Sequence, residues 1–367
     1  MSEQNPREEL RDVRRVVVKI GTKSITAGER GRFADVARQV ASARAQGKQA
    51  VLVSSGAIAL GFPRLGLKVR PTLMAELQAS AAAGQSRLMH AYEEAFSPHG
   101  IEVAQVLLTH DGIADRSLYL NARAALDALL AHGCVPIINE NDTVAVEEIK
   151  FGDNDQLAAM VATLVGADLL VLLTDVEGLL DAEGARISTV REVEAVRGLV
   201  RPHQVGGLSL GGMESKLEAA RRATLRGLPV VIADARDPEV LPSILSGVDC
   251  GTLVLPQGSP LASRKHWIAY TLKPKGSVLV DAGAAKALSE RRSSLLPAGV
   301  LGVRGDFMQG DAISILAPEG GEIARGLCRY GMHDVARLAG ARASEIAARL
   351  GHYAGDAIVH RDDLVLL

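Results

Sequence analysis

Two lysines stand where an anion would bind. Lys19 lies inside the apolar run Val16-Val17-Val18-Lys19-Ile20, directly before Gly21-Thr22. An ammonium group in an apolar strand is costly unless it meets a partner, and Gly21 lets a ligand approach the backbone. Lys216 lies in Gly211-Gly212-Met213-Glu214-Ser215-Lys216, at the start of a helical pattern. Free N–H groups and the positive end of the helix dipole favour an anion there. A cation at that end opposes the helix, and a bound phosphate would remove the conflict. The plainer alternatives are a strand-end lysine reaching solvent and a flexible loop before a surface helix.

Two polar clusters also follow apolar runs. Asn139-Glu140-Asn141-Asp142 follows Val135-Pro136-Ile137-Ile138, and Gly152-Asp153-Asn154-Asp155-Gln156 opens a helical pattern. Asp153 suits an N-cap. If the clusters converge, they would grip a substrate amino group, orient the lysines or hold Mg²⁺. Ser54-Ser55-Gly56-Ala57 offers hydroxyl and amide donors to a carboxylate or phosphate. It departs from G-x-S-x-G, and no His is read at a comparable strand end, which argues against a serine hydrolase. Thr174-Asp175 either caps its own turn or contacts a nucleotide. No Walker A loop occurs, and no G-x-G-x-x-G follows the first apolar run.

The elements that must position these residues alternate. Apolar runs at 16–18, 50–53, 135–138, 169–173 and 230–232 read as buried strands. Helical patterns cover 33–46, 72–96, 116–132, 154–165 and 213–226, several ending at a glycine suited to a C-cap: Gly47, Gly133, Gly166 and Gly227. Apolar strands alternating with helices indicate a mainly parallel sheet covered on both faces, an α/β three-layer sandwich. Ligands bind beyond the carboxyl ends of such strands, where the polar residues gather. The pattern changes at Leu255-Pro256-Gln257-Gly258-Ser259-Pro260. We therefore expect a catalytic domain over 1–258, a linker over 259–273 and a small β-rich domain over 274–367. In the last, strands are expected at 276–281, 299–304, 311–316 and 357–360, with one or two helices.

Composition narrows the function. The chain has 367 residues, 41 Lys plus Arg against 43 Asp plus Glu, and 3% aromatics. Near-neutral charge and few aromatics argue against a nucleic-acid or anionic-membrane partner. Residues 274–367 carry 11 Lys plus Arg and 11 Asp plus Glu, without the basic footprint of an RNA binder. Cys134, Cys250 and Cys328 show no local pairing, which fits a reducing compartment. The cysteines and histidines have no zinc-ligand spacing, so no resident metal site is read. Residues 1–15 lack the apolar centre of a signal peptide, and no apolar run is long enough to span a bilayer. A cytoplasmic place is expected.

Taken in order, Val18-Lys19-Ile20-Gly21-Thr22, Ser54 through Gly61, Asn139 through Asp142, Phe151 through Asp155, Leu173-Thr174-Asp175 and Gly211 through Lys216 resemble the glutamate 5-kinase family of the amino acid kinase superfamily. Asn121-Ala122-Arg123, Arg264 through Ile268 and Arg291 through Pro297 add to the likeness, and the tail resembles a PUA domain. The resemblance implies transfer of the ATP γ-phosphoryl group to the side-chain carboxylate of L-glutamate. That is the first step of proline synthesis, with Mg²⁺ on the nucleotide, proline as allosteric inhibitor and a homo-oligomer. It assigns Ser55, Asp142 and Asn154 to glutamate. It assigns Lys19, Thr174, Asp175 and the run Leu210, Gly211, Gly212, Met213, Glu214, Ser215 and Lys216 to ATP. Asp155 is the acid that orients Lys19 and Lys216, and these three are the catalytic residues. Asp142 would pair with the substrate α-ammonium.

Two positions depart from that pattern. Leu210 stands where the family usually has Thr, so a hydroxyl directed at the nucleotide is missing. Lys23 stands where a small hydroxyl residue is common. Three alternatives compete: a kinase for N-acetylglutamate, aspartate or carbamate; a PUA-containing RNA-binding protein; and a degenerate kinase acting as a sensor. Lys19, Asp155 and Lys216 together argue against the last.

Overall fold

The apolar runs pair side by side as expected, and their register levels the residues that carry chemistry. The structure, a computed structural model, describes residues 5–26, 29–144, 154–198, 212–257, 274–291 and 293–367. It divides into two compact units, 1–258 and 259–367. The first contains strands β1 (Arg15–Ile20), β2 (Gln49–Ser54), β3 (Val103–Leu108), β4 (Val135–Glu140), β5 (Leu169–Thr174), β6 (Thr189–Val190), β7 (Val230–Asp234) and β8 (Thr252–Val254). They form one sheet in the order β3-β4-β2-β1-β5-β7-β8-β6. The strands from β3 to β7 run parallel, and β8 turns antiparallel to β7.

Register explains why distant motifs meet. Lys19 pairs with Val53 on one side and Leu172 on the other. Val53 pairs with Ile138, and Leu172 with Ile232. One residue further on, Ser54, Asn139, Leu173 and Ala233 therefore share the next level. The chain builds out from β1 through β2, then restarts at β5 on the opposite side of β1. That reversal leaves a crevice at the carboxyl ends of β1, β2 and β5, where ligands bind in open α/β sheets.

Helices cover both faces. On one face, α2 (Glu29–Ala45), α4 (Met74–Phe96) and α10 (Val240–Leu245) pack Phe33, Val40, Leu88, Tyr92 and Ile244 against Val16, Val18 and Leu52. On the other, α6 (Arg116–Ala131), α7 (Asn154–Leu164), α8 (Val193–Arg197) and α9 (Met213–Thr224) pack onto Val17, Val53, Ile138, Leu172 and Ile232. Strand side chains alternate faces. Lys19 therefore shares the Val17 side, under α7 and α9. Short helices α1 (Thr22–Thr26), α3 (Ala57–Gly61) and α5 (His110–Ala114) follow β1, β2 and β3.

The expected helices form with ends shifted by a few residues, and Gly47, Gly133, Gly166 and Gly227 all take positive φ, from 60° to 79°. Sequence reading missed β3. This edge strand is only half-buried and carries the exposed Gln105 mid-run, which blurs its pattern. Ser54, Asn139, Glu140 and Thr174, which follow the apolar runs, extend those strands by one or two residues, each of them buried.

Helices α3 and α4 cross with backbone in contact. A Cβ on Gly61 would stand 1.8 Å from the Ser80 carbonyl oxygen, and one on Gly84 would stand 1.8 Å from that of Ala57. Overpacking against backbone has no flexible neighbour to give way. Gly61→Ala and Gly84→Ala are each expected to destabilise the domain by about 3 kcal/mol, read as a lower urea midpoint. A midpoint equal to wild type would show that the crossing yields freely.

The second unit is a five-stranded sheet of β9 (Gly276–Val280), β10 (Val300–Gly305), β11 (Ala312–Leu316), β12 (Glu322–Cys328) and β13 (Val359–Leu366), ordered β10-β9-β11-β12-β13. Val278, Phe307, Ile313, Ile315, Tyr330 and Val335 centre its core. Sequence reading missed β12, in which Gly326 sits under Val359 and interrupts the apolar pattern. One or two helices are expected there, and three form among the described residues: α11 (Ala282–Arg291), α12 (Met332–Leu338) and α13 (Ile346–Leu350).

Candidate active site

Lys19, Asp155 and Lys216 meet near the carboxyl end of β1. Lys19 Nζ lies 2.6 Å from Asp155 Oδ1, and Lys216 Nζ lies 3.0 Å from Asp155 Oδ2. The three residues are 4%, 0% and 6% exposed, so this is a buried ion triad. Burial alone would raise the Asp155 carboxyl. Lys19 and then Lys216 outweigh it and hold Asp155 below the usual carboxylate range. Ser215 Oγ adds a 3.3 Å hydrogen bond to Asp155 Oδ2. Two ammonium groups on one carboxylate leave the triad with one net positive charge, which suits an incoming polyanion. Gly21 borders it, since a Cβ there would lie 3.8 Å from Lys19 Nζ.

The first turn of α7 links this triad to a neutral amide cluster. Asn154 Nδ2 donates to Ser55 Oγ at 2.9 Å, to Asn139 Oδ1 at 2.9 Å and to the Ser54 carbonyl at 3.2 Å. Asn139 Oδ1 also accepts from the Glu140 backbone N–H at 2.9 Å. Asn154 and Asp155 are consecutive, so one helix end fixes the spacing between amides and lysines. Ser54 Oγ is held from the opposite face by Tyr92 Oη at 2.9 Å.

Asp142 lies two residues beyond β4. Burial, followed by the neighbouring Glu140 carboxylate, pushes its carboxyl up to about 7, while Arg70 pulls the other way. At the end of β5, Thr174 Oγ1 donates to Asp175 Oδ1 at 3.3 Å. Gly212, Met213, Glu214, Ser215 and Lys216 form the start of α9, with Gly212 extended at its N-cap. Helix α8 braces that start: Arg197 lies 2.8 Å from Glu214 and 3.1 Å from Glu218. Leu210, Gly211, Gly152 and Asp153 lie outside the described residues, as does the side chain of Lys23.

The structure thus brings Lys19, Asp155 and Lys216 into one cluster and Ser55, Asn154 and Asn139 into an adjoining one. Sequence reading missed His110. It stands two residues past β3, with Nδ1 3.2 Å from Glu140 Oε2, contrary to the expectation that no His sits at a strand end. Recognising β3 would have placed it. Gln85 was also missed, because one glutamine in a long helix carries no spacing signal. Among the described residues, no three His, Cys, Asp or Glu side chains gather as a metal cage.

The sequence pattern of the amino acid kinase family matches residues 14–234, and that of the PUA domain matches residues 276–350. Among curated relatives, the chain is 47% identical to a glutamate 5-kinase of Geobacter sulfurreducens, covering 98% of this chain and 99% of that one. It is 48% identical to a glutamate 5-kinase of Myxococcus xanthus, covering 98% of each. It is 46% identical to one of Chromohalobacter salexigens, covering 100% of this chain and 99% of the relative. Among the described residues no helix is long and apolar enough to cross a membrane.

Proposed function

The chain belongs to the amino acid kinase family, and we propose that it transfers the ATP γ-phosphoryl group to the γ-carboxylate of L-glutamate, forming L-glutamyl 5-phosphate at the start of proline synthesis. The observation that carries this reading is the buried triad of Lys19, Asp155 and Lys216 beside the Ser55–Asn154–Asn139 cluster.

The chemistry follows from charge. A carboxylate nucleophile is already ionised at neutral pH, so no general base is required. The difficulty is bringing an anion to a polyanion in line. Lys19 and Lys216 would sit on opposite sides of the migrating group and neutralise its developing charge. Asp155 holds both ammonium groups at fixed positions. Gly21 and the start of α9 leave backbone within reach of phosphate oxygens. Thr174 and Asp175 lie at the β5 end for the nucleoside side. Magnesium, bound on the phosphates, would spread their charge further. Ser55, Asn154 and Asp142 would hold the amino acid, with Asp142 on its α-ammonium group.

The test is an ATP-dependent assay with L-glutamate and hydroxylamine, which traps an acyl phosphate as its hydroxamate. Hydroxamate should form with glutamate in preference to aspartate and N-acetylglutamate. Strong turnover of aspartate without glutamate would overturn the assignment. The reading includes feedback inhibition by proline and a homo-oligomeric assembly, as the resemblance implies. Adding proline to the same assay tests the first, and sedimentation tests the second.

A pH dependence follows from Asp142. Below about 7 its carboxyl is neutral and cannot pair with the substrate ammonium; above 7 it can. The value of kcat/KM for glutamate reports groups of the free enzyme. It should fall about tenfold per pH unit below 7, while KM for ATP changes little. Asp142→Asn should flatten that profile at a low value. A wild-type profile flat from pH 5.5 to 8 would remove Asp142 from ammonium recognition.

A further inference from the structure

The amino-acid side of the site is held by side-chain amides whose two ends have the same shape and opposite chemistry. We infer that Gln85 is a positioning residue that sets which end Asn139 presents to Asn154, and so helps set which end Asn154 presents to the substrate. The inference rests on the reading of this cluster as the glutamate side.

An asparagine amide offers one acceptor oxygen and two N–H donors. Asn154 Nδ2 gives its two hydrogens to Asn139 Oδ1 and Ser55 Oγ, with one shared towards the Ser54 carbonyl. Its Oδ1 end is therefore the end left to a ligand, and an acceptor suits an ammonium group. The Ser54 carbonyl at 3.2 Å favours that polarity, and the Asn139 oxygen, turned inward at 2.9 Å, reinforces it. Two donors demand that inward turn, Asn154 Nδ2 and the Glu140 N–H, both at 2.9 Å. Asn139 is 2% exposed, so its own N–H₂ then needs an acceptor that water does not supply freely. Gln85 Oε1 is that acceptor, at 2.9 Å.

Gln85 is fixed from behind. Its Nε2 donates to Gln105 Oε1 on β3 at 3.0 Å, which keeps its oxygen towards Asn139. It follows Gly84, the residue that locks α4 onto α3 through backbone contact with Ala57. Helix α3 begins two residues after Ser55, so the same crossing places both Gln85 and the Ser55 turn. The relay Gln105, Gln85, Asn139, Asn154 thus runs with one polarity from the sheet edge to the substrate side. With no acceptor at 85, only the Glu140 N–H would hold the Asn139 oxygen inward, against the cost of a buried N–H₂ that has lost its acceptor.

Three variants of the full chain test this. Gln85→Met keeps length and removes the acceptor. It should raise KM for glutamate about tenfold, with kcat within twofold and KM for ATP unchanged. Gln85→Lys offers donors only and should raise KM for glutamate at least thirtyfold. Gln85→Glu restores an acceptor and should bring KM back within threefold of wild type. A merely structural residue would instead lower the thermal midpoint and kcat together, without rescue by Glu. The inference is overturned if Gln85→Met keeps the wild-type KM. It is equally overturned if Gln85→Glu is as impaired as Gln85→Met. Failure of the parent reading looks different, because wild-type protein would then turn over another acid in preference to glutamate. The same variants would be measured on that acid, with the same split expected.

Discussion

Lys216→Ala is expected to lower kcat by about 10²–10³-fold, the range for losing one preorganised charge-stabilising donor at a reacting group. Lys216 reaches the triad from the first turn of α9, whereas the amide cluster is built from β2, β4 and α7. KM for glutamate should therefore stay within about threefold, giving equal losses in kcat and kcat/KM, the signature of an interaction made in the transition state. The fold should survive, because Asp155 keeps Lys19 at 2.6 Å and no buried carboxylate is stranded. Circular dichroism and the urea midpoint check the fold, and the hydroxamate assay gives kcat. An unchanged kcat would take Lys216 out of the mechanism and leave the triad as a structural ion cluster.

Much of this site was legible before the structure, and the reasons are local. Lys19 drew notice because it interrupts an apolar run, and Lys216 because it opposes the helix dipole. Both anomalies are resolved by a shared partner, Asp155. That pairing was not readable from spacing. It depends on β1 lying between β2 and β5, and on the register that puts Lys19 opposite Val53 and Leu172. Family likeness supplied the pairing; the sheet supplies its physical cause. Edges and amides remained opaque. β3 escaped because a half-buried edge strand loses its alternation, and with it went His110, which stands just beyond it. Gln85 escaped because its role depends on which atom of an amide faces Asn139, and no hydrophobic pattern encodes that. Residues 274–367 were legible as β-rich and balanced in charge, while Gly326 hid β12.

Asp155→Asn should have the broadest effect of any single substitution here. It removes the negative charge that Lys19 and Lys216 share among the described residues, where both ammonium groups are buried. Breaking a buried pair from one side costs about 3–5 kcal/mol, because the remaining charge is uncompensated. A loss within that range is expected, read from urea denaturation as a lower midpoint with an unchanged slope. Activity should fall at least as far as for Lys216→Ala, since neither lysine keeps its anchor. Nucleotide separates the two roles of the acid. A bound polyphosphate can take over the neutralisation, so saturating MgATP should raise the variant's midpoint more than that of wild type, through linkage to a ligand that binds the folded state. If the variant unfolds at the wild-type midpoint and gains nothing extra from MgATP, the lysines do not need the carboxylate. The preorganised cationic seat for the migrating phosphoryl group would then be wrong.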